Sequence, residues 1–140
     1  MKPVERFTSQ KELDSCLKWW QRKLGLENWV ISATCVKQKK LDPGSEGENL
    51  LSFDNRESII RLMRYEDYSK KSKFRVCQEK VLVHELLHCI YCPIMPDKTY
   101  EAKFLSIMSH QQLEQMAKTL IMVKYNLSLS YFDCSKKGKK

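Results

Sequence analysis

Residues 75–91 constrain the fold more than any other stretch of the chain. Val76, Lys80, Val83, Leu87 and Ile90 recur at helical spacing, and Leu82, Leu86 and Cys89 widen the stripe. The segment therefore reads as a helix that must bury a broad apolar face. Pro93 and Pro96 follow it and stop it. Inside the stripe stands His84-Glu85-Leu86-Leu87-His88, an HExxH pattern. Residues four apart on a helix project from one face about a turn apart, so the two imidazoles can converge on one zinc ion. Glu85, next to the first His, lies beside such a metal without being forced to bind it, and can take a proton from a metal-activated water. The plainer alternative is an amphipathic helix whose His and Glu side chains face water. Against it, Val83, Leu86, Leu87, Cys89 and Ile90 are uncharged, and a Glu and two His buried unpaired among them would be costly.

A catalytic zinc takes three protein ligands and keeps one open position. The chain has three histidines, and the third, His110, is expected at the start of the next long helix. The two prolines allow the chain reversal that would bring it back. Glu114 follows on the same helix face. One of the pair can bind metal while the other hydrogen-bonds a ligand imidazole. His110 is the preferred ligand with Glu114 as its partner; the reverse assignment and Glu101 remain as alternatives.

The rest of the chain supplies a frame for that helix. Residues 9–24 read as a first helix, with Leu13, Leu17, Trp20 and Leu24 in register. Ser9 and Glu12 form a capping box at its start, and Gly25 ends it. Residues 29–36 read as a strand, and 49–53 and 58–63 as two more, with a hairpin turn at Asp54 to Glu57. The lysine-rich stretch 65–73 is a loop or short helix. Residues 98–123 are helical, with a break expected near Ser109, where Ser109 and Gln112 suggest a second capping box. Residues 127–132 suggest a short strand or extended packing segment. Trp19, Trp20 and Trp29 read as core or core-edge residues. The expected fold is α+β: a three-stranded antiparallel or mixed sheet packed on an N-terminal helix and the HExxH helix, then a C-terminal helical region. One domain is expected over residues 1–135, with 136–140 a disordered basic tail.

Composition narrows the function classes. The chain has 140 residues, 42% of them hydrophobic and 30% charged, an ordinary globular balance. No stretch approaches the ~20 apolar residues of a membrane span. The polar N-terminal residues lead into no hydrophobic run, so a secretory signal is not expected and a cytoplasmic location is. The six cysteines then read as reduced thiols. Cys89 and Cys92 form a CxxC, but it sits at a helix C-terminus and has no second pair, so packing thiols are the better reading than a redox or structural zinc site. The net charge is +8, of which Lys136, Lys137, Lys139 and Lys140 carry half. The basic surface allows nucleic acid or acidic partners, though no nucleic-acid motif accompanies it. There is no P-loop, GxGxxG or GxSxG.

With His84-Glu85-Leu86-Leu87-His88 in place, the chain resembles the zinc metallopeptidases of phages and mobile elements, which are very small gluzincin-like zincins. The resemblance extends to Leu26-Glu27-Asn28-Trp29-Val30-Ile31, to the strand at 58–63, and to Leu113-Glu114-Gln115-Met116-Ala117-Lys118-Thr119-Leu120, and so spans most of residues 10–124. It implies a zincin-type fold, with a short sheet backing an active-site helix and a later helix supplying the third ligand. In gluzincins that ligand is a Glu, often with an acidic residue four positions on that supports a ligand His. Here the corresponding pair is His110 and Glu114, and the His is a departure. SprT-like proteases, which act on DNA-bound proteins, share HExxH and use a third His. The chain lacks their His-Gly context and their zinc-ribbon domain. The expected function is a zinc-dependent metallopeptidase acting on a peptide or protein, with His84, His88 and His110 as ligands and Glu85 as general base. The loop after Ile90 and the strand at 58–63 are expected to border the cleft, where an edge strand can bind substrate as an added strand. The alternative from another class is a non-catalytic, metal-containing binding or accessory protein of a mobile element.

Overall fold

The computed structural model describes residues 1–91 and 100–133, and the side chains of 1–91 and 106–133. Cys92, Pro93, Pro96, Cys134, the tail at 136–140 and the side chain of Glu101 lie outside the described residues. The architecture is α+β. Helix α1 (Gln10–Lys23) leads to strand β1 (Val30–Val36), then to the hairpin of β2 (Gly47–Ser52) and β3 (Glu57–Met63). Helices α2 (Gln78–Ile90), α3 (Tyr100–Tyr125) and α4 (Ser130–Asp133) follow.

The first helix starts and stops where its sequence directs. Ser9 Oγ accepts a hydrogen bond from Glu12 N at 3.1 Å. Glu12 answers one residue further back than in a standard capping box, accepting from Thr8 N at 2.7 Å. At the other end Gly25 takes a φ of +70°. Leu26 N donates to Gln21 O at 2.8 Å, which closes the helix by the left-handed turn that glycine permits. Leu13, Leu17 and Trp20 turn inward. Trp29 is also buried, and Trp19 lies at the edge, 36% exposed.

The sheet is mixed, in the order β1-β3-β2. β3 lies parallel to β1 and antiparallel to β2. Ile60 and Leu62 of β3 and Ala33 of β1 point into the core, where they meet Val81, Leu82, Leu86 and Leu87 of α2. Val30, Leu50 and Ile59 point to the opposite, exposed face. The strand at 58–63 is thus the centre of the sheet, and both its edges are paired. It cannot accept an added strand as the sequence reading had it; the edge strand on the α2 side is β2.

Helix α2 begins at Gln78, three residues later than its hydrophobic stripe suggests. The physical reason is the N-terminal segment. Gln78 N and Glu79 N donate to Glu5 O and Val4 O, at 3.2 and 3.0 Å, so backbone carbonyls cap a helix whose N-cap, Cys77, supplies no side-chain capping bond. Arg75 stays outside the helix and donates to Glu5 Oε1 at 2.6 Å and Tyr131 O at 3.0 Å.

Two expectations fail in the C-terminal region. α3 runs through Ser109 without a break. No Gly or Pro interrupts residues 100–125, and the buried stripe of Leu113, Ala117 and Ile121 follows the expected break. Asn126 ends α3 with a φ of +53°, and Leu127 N donates to Met122 O at 2.9 Å. Residues 127–132 are not extended but enter α4: Tyr131 N and Phe132 N donate to Ser128 O and Leu129 O. Phe132 is buried there and Leu129 is 47% exposed.

Candidate metal centre

α2 carries His84 and His88 on one face, a turn apart, and α3 crosses it to bring His110 alongside. The imidazole centroids are 5.2 Å apart for His84 and His88, 5.6 Å for His84 and His110, and 5.0 Å for His88 and His110. One ring nitrogen from each lies within 4.8 Å of the others. Nitrogen ligands on a tetrahedral zinc sit about 3.3 Å from one another, given bonds of ~2.0–2.1 Å, so modest side-chain rotation closes the set. His84 and His88 are half-buried and His110 is exposed. Burial, together with the neighbouring His84 and His110, pushes His88 down to about 4. Burial and then His84 push His110 down as well. Both rings are thereby held neutral near pH 7, the form that binds a metal.

Glu114 stands beside the cluster. Its Oε2 lies 3.0 Å from His84 Nδ1 and its Oε1 lies 2.5 Å from Lys80 Nζ. Burial alone would raise its carboxyl, but the hydrogen bonds and charges of His84 and Lys80 win and hold it at about 2. An ionised Glu114 accepts a proton-bearing Nδ1, which leaves the lone pair of His84 on Nε2. Of the three expected candidates for third ligand, the structure brings His110 to the other two imidazoles and sets Glu114 against the back of His84.

Glu85 is 6% exposed. Burial raises its carboxyl to about 7; Glu48 and Glu114 add to the rise and His84 opposes it. Its Oε2 lies 3.9 Å from His88 Nε2. A cavity of about 330 Å³ opens here, lined by Gly44, Gly47, His84, Glu85, His110 and Glu114 among others. A second, of about 600 Å³, lies along α3 past His110. A larger cavity of about 870 Å³, bordered by Arg6, Tyr65 and Phe74, touches none of the expected ligands.

Three residues that position the site were not singled out in the sequence for that role. A Cβ on Gly47 would meet Val81 Cγ1 at 2.8 Å and Glu85 Oε1 at 3.1 Å, so β2 approaches the carboxylate only because this residue has no side chain. Asn49 Nδ2 donates to Glu85 O at 2.7 Å, while its Oδ1 accepts from Ser58 Oγ at 2.7 Å, tying both hairpin strands to the HExxH turn. Lys80 holds Glu114. Gly47 carries only a loop signal, and Asn49 is a polar residue at an inward position of a strand. Lys80 gave the one usable signal, its place one turn before His84 on the same stripe. The loop after Ile90, expected at the cleft, lies outside the described residues.

No family model matches this chain, and no curated protein and no solved structure matches it either. What can be said of the class therefore rests on chemistry: an α+β chain presenting three imidazoles from two crossed helices, with a buried carboxylate next to them.

Proposed function

We propose that this chain is a small zinc-dependent metallopeptidase of zincin type, akin to those of phages and mobile elements, working in the cytoplasm. The observation that carries the reading is the placement of Glu85. It is a buried carboxylate with a raised pKa, in helical register with two of three converging imidazoles, and it faces a cavity beside the edge of β2 that is unpaired among the described residues. His84, His88 and His110 would hold the zinc. When bound, zinc supplies a Lewis acid and brings the pKa of a water near neutrality. Glu85 accepts the proton of the attacking water and passes it to the leaving amine. Glu114 keeps His84 in the tautomer that presents Nε2. A peptide lying along β2 as an added strand would present its backbone to the cavity.

The test is Glu85→Gln, which keeps the shape and removes the base. The purified variant and wild type are both expected to hold near-equimolar zinc by elemental mass spectrometry, while peptidase activity found by peptide-library screening falls about 10²–10⁴-fold in the variant. His84→Ala and His88→Ala are expected to lose the metal. Full zinc retention in both histidine variants sinks the site, and zinc loss in Glu85→Gln makes Glu85 a ligand and removes the mechanism. A zinc ion closed by four protein side chains would favour the accessory-protein reading, because no position would remain for water.

A further inference from the structure

Lys80 lies one turn before His84 on α2, inside a stripe that is otherwise largely apolar, and its side chain is only 12% exposed. Burying a lysine is costly unless its charge is met. Here Nζ lies 2.5 Å from Glu114 Oε1 on α3 and 3.9 Å from Glu46 Oε2 in the loop before β2. The other oxygen of Glu114 lies 3.0 Å from His84 Nδ1. A chain of charged groups thus runs from Glu46 through Lys80 and Glu114 to the imidazole of His84, and joins three elements.

We propose that Lys80 is a positioning residue of the metal centre, fixing Glu114 on Nδ1 of His84 and through it the direction of His84 Nε2. The inference rests on the metal-binding reading above. A carboxylate with one oxygen on an imidazole and the other unpartnered can turn about its terminal bond. With Lys80 on Oε1, both oxygens are committed and the plane of the carboxylate is set. Lys80 also offsets the charge of Glu114, so that the support adds little net charge behind the imidazoles.

A residue that acts through another is exposed by a double-mutant cycle. Zinc affinity would be measured by competition with a chromophoric chelator for wild type, Lys80→Met, Glu114→Gln and the double variant. Thermal unfolding of the chelator-treated proteins would verify that each is folded. Each single variant is expected to bind zinc about 10–100-fold more weakly, the usual cost of losing such a supporting contact. The double variant is expected to match Glu114→Gln within about twofold. Wild-type affinity in Lys80→Met, or losses that multiply in the double variant, overturns the proposal, because packing lost by a merely structural lysine adds to the effect of Glu114→Gln. If Lys80→Met does not fold, Lys80→Gln, which keeps a donor and removes the charge, takes its place in the same cycle. Failure of wild type itself to bind zinc overturns the metal reading, whereas unchanged binding in the Lys80 variants overturns only the role given to Lys80.

Discussion

Glu79 is fully buried, yet every direction around its carboxylate is met by a donor. Trp20 Nε1 donates to Oε1 at 2.8 Å and Lys124 Nζ at 2.7 Å, while Val4 N donates to Oε2 at 2.9 Å and Tyr125 OH at 2.8 Å. The residue joins the N-terminal segment, α1, α2 and the end of α3. Lys124 in turn lies 3.8 Å from the Trp19 ring centroid. Replacing Glu79 with Ala would strand the charge of Lys124 and several donors, so unfolding in urea is expected to show a loss of about 3–5 kcal/mol. The thiols give a second residue-scale test. Burial pushes Cys77 up to about 12, and burial together with Glu79 also pushes Cys16 up. Both stay protonated at pH 8 and lack the reactive thiolate. With a maleimide at that pH, the exposed Cys35 is expected to react before Cys16 and Cys77, which wait for unfolding. Six free thiols are expected after denaturation without oxidant. At this scale His84, Glu85 and His88 were legible because their relation is local, set by the pitch of one helix. Glu79 was not, because its partners lie on elements that only the tertiary fold brings together, and by itself it reads as a charge near a helix start.

Among the elements, those bounded by their own turn chemistry were the legible ones. Ser9 and Gly25 frame α1, and the turn at 53–56 sets the β2–β3 hairpin. Elements whose limits depend on partners were misread. α2 starts late because the carbonyls of Val4 and Glu5 cap it from a distant segment. α3 is unbroken through Ser109, with no Gly or Pro in residues 100–125 to turn the local Ser-x-x-Gln signal into a stop. The position of β3 inside the sheet followed from pairing, which periodicity does not report. The closeness of β2 to α2 yields a further prediction. Gly47→Ala places a methyl group against Val81 and the carboxylate of Glu85. A loss of about 1–3 kcal/mol is expected in chemical denaturation, the usual range for overpacking, and with the carboxylate displaced, any peptidase activity should fall by more than the lost stability explains. Equal stability and activity in the two proteins would show that β2 relaxes away from the helix at no cost.

For the molecule as a whole, α3 is the member that reaches furthest. It contributes His110 to one end of the α2 face and Lys124 and Tyr125 to the other, about 21 Å away along an α-helix of 1.5 Å rise per residue. Glu79 fastens the far end. A ligand for the three imidazoles fastens the near end, and a rod held at both ends can no longer pivot. Such a ligand stabilises the folded state by mass action, about 2.7 kcal/mol at a hundredfold excess over its dissociation constant, so chelation is expected to lower the melting temperature. The protection of individual amides should record the same event as a change in stiffness. Metal should slow hydrogen exchange around His110 and, because the helix is unbroken, extend that slowing through Leu113, Ala117 and Ile121 toward Tyr125. Because α3 does not break at Ser109, the slowing should also reach the turn before His110, whereas a hinge there would confine it to His110 and the residues that follow.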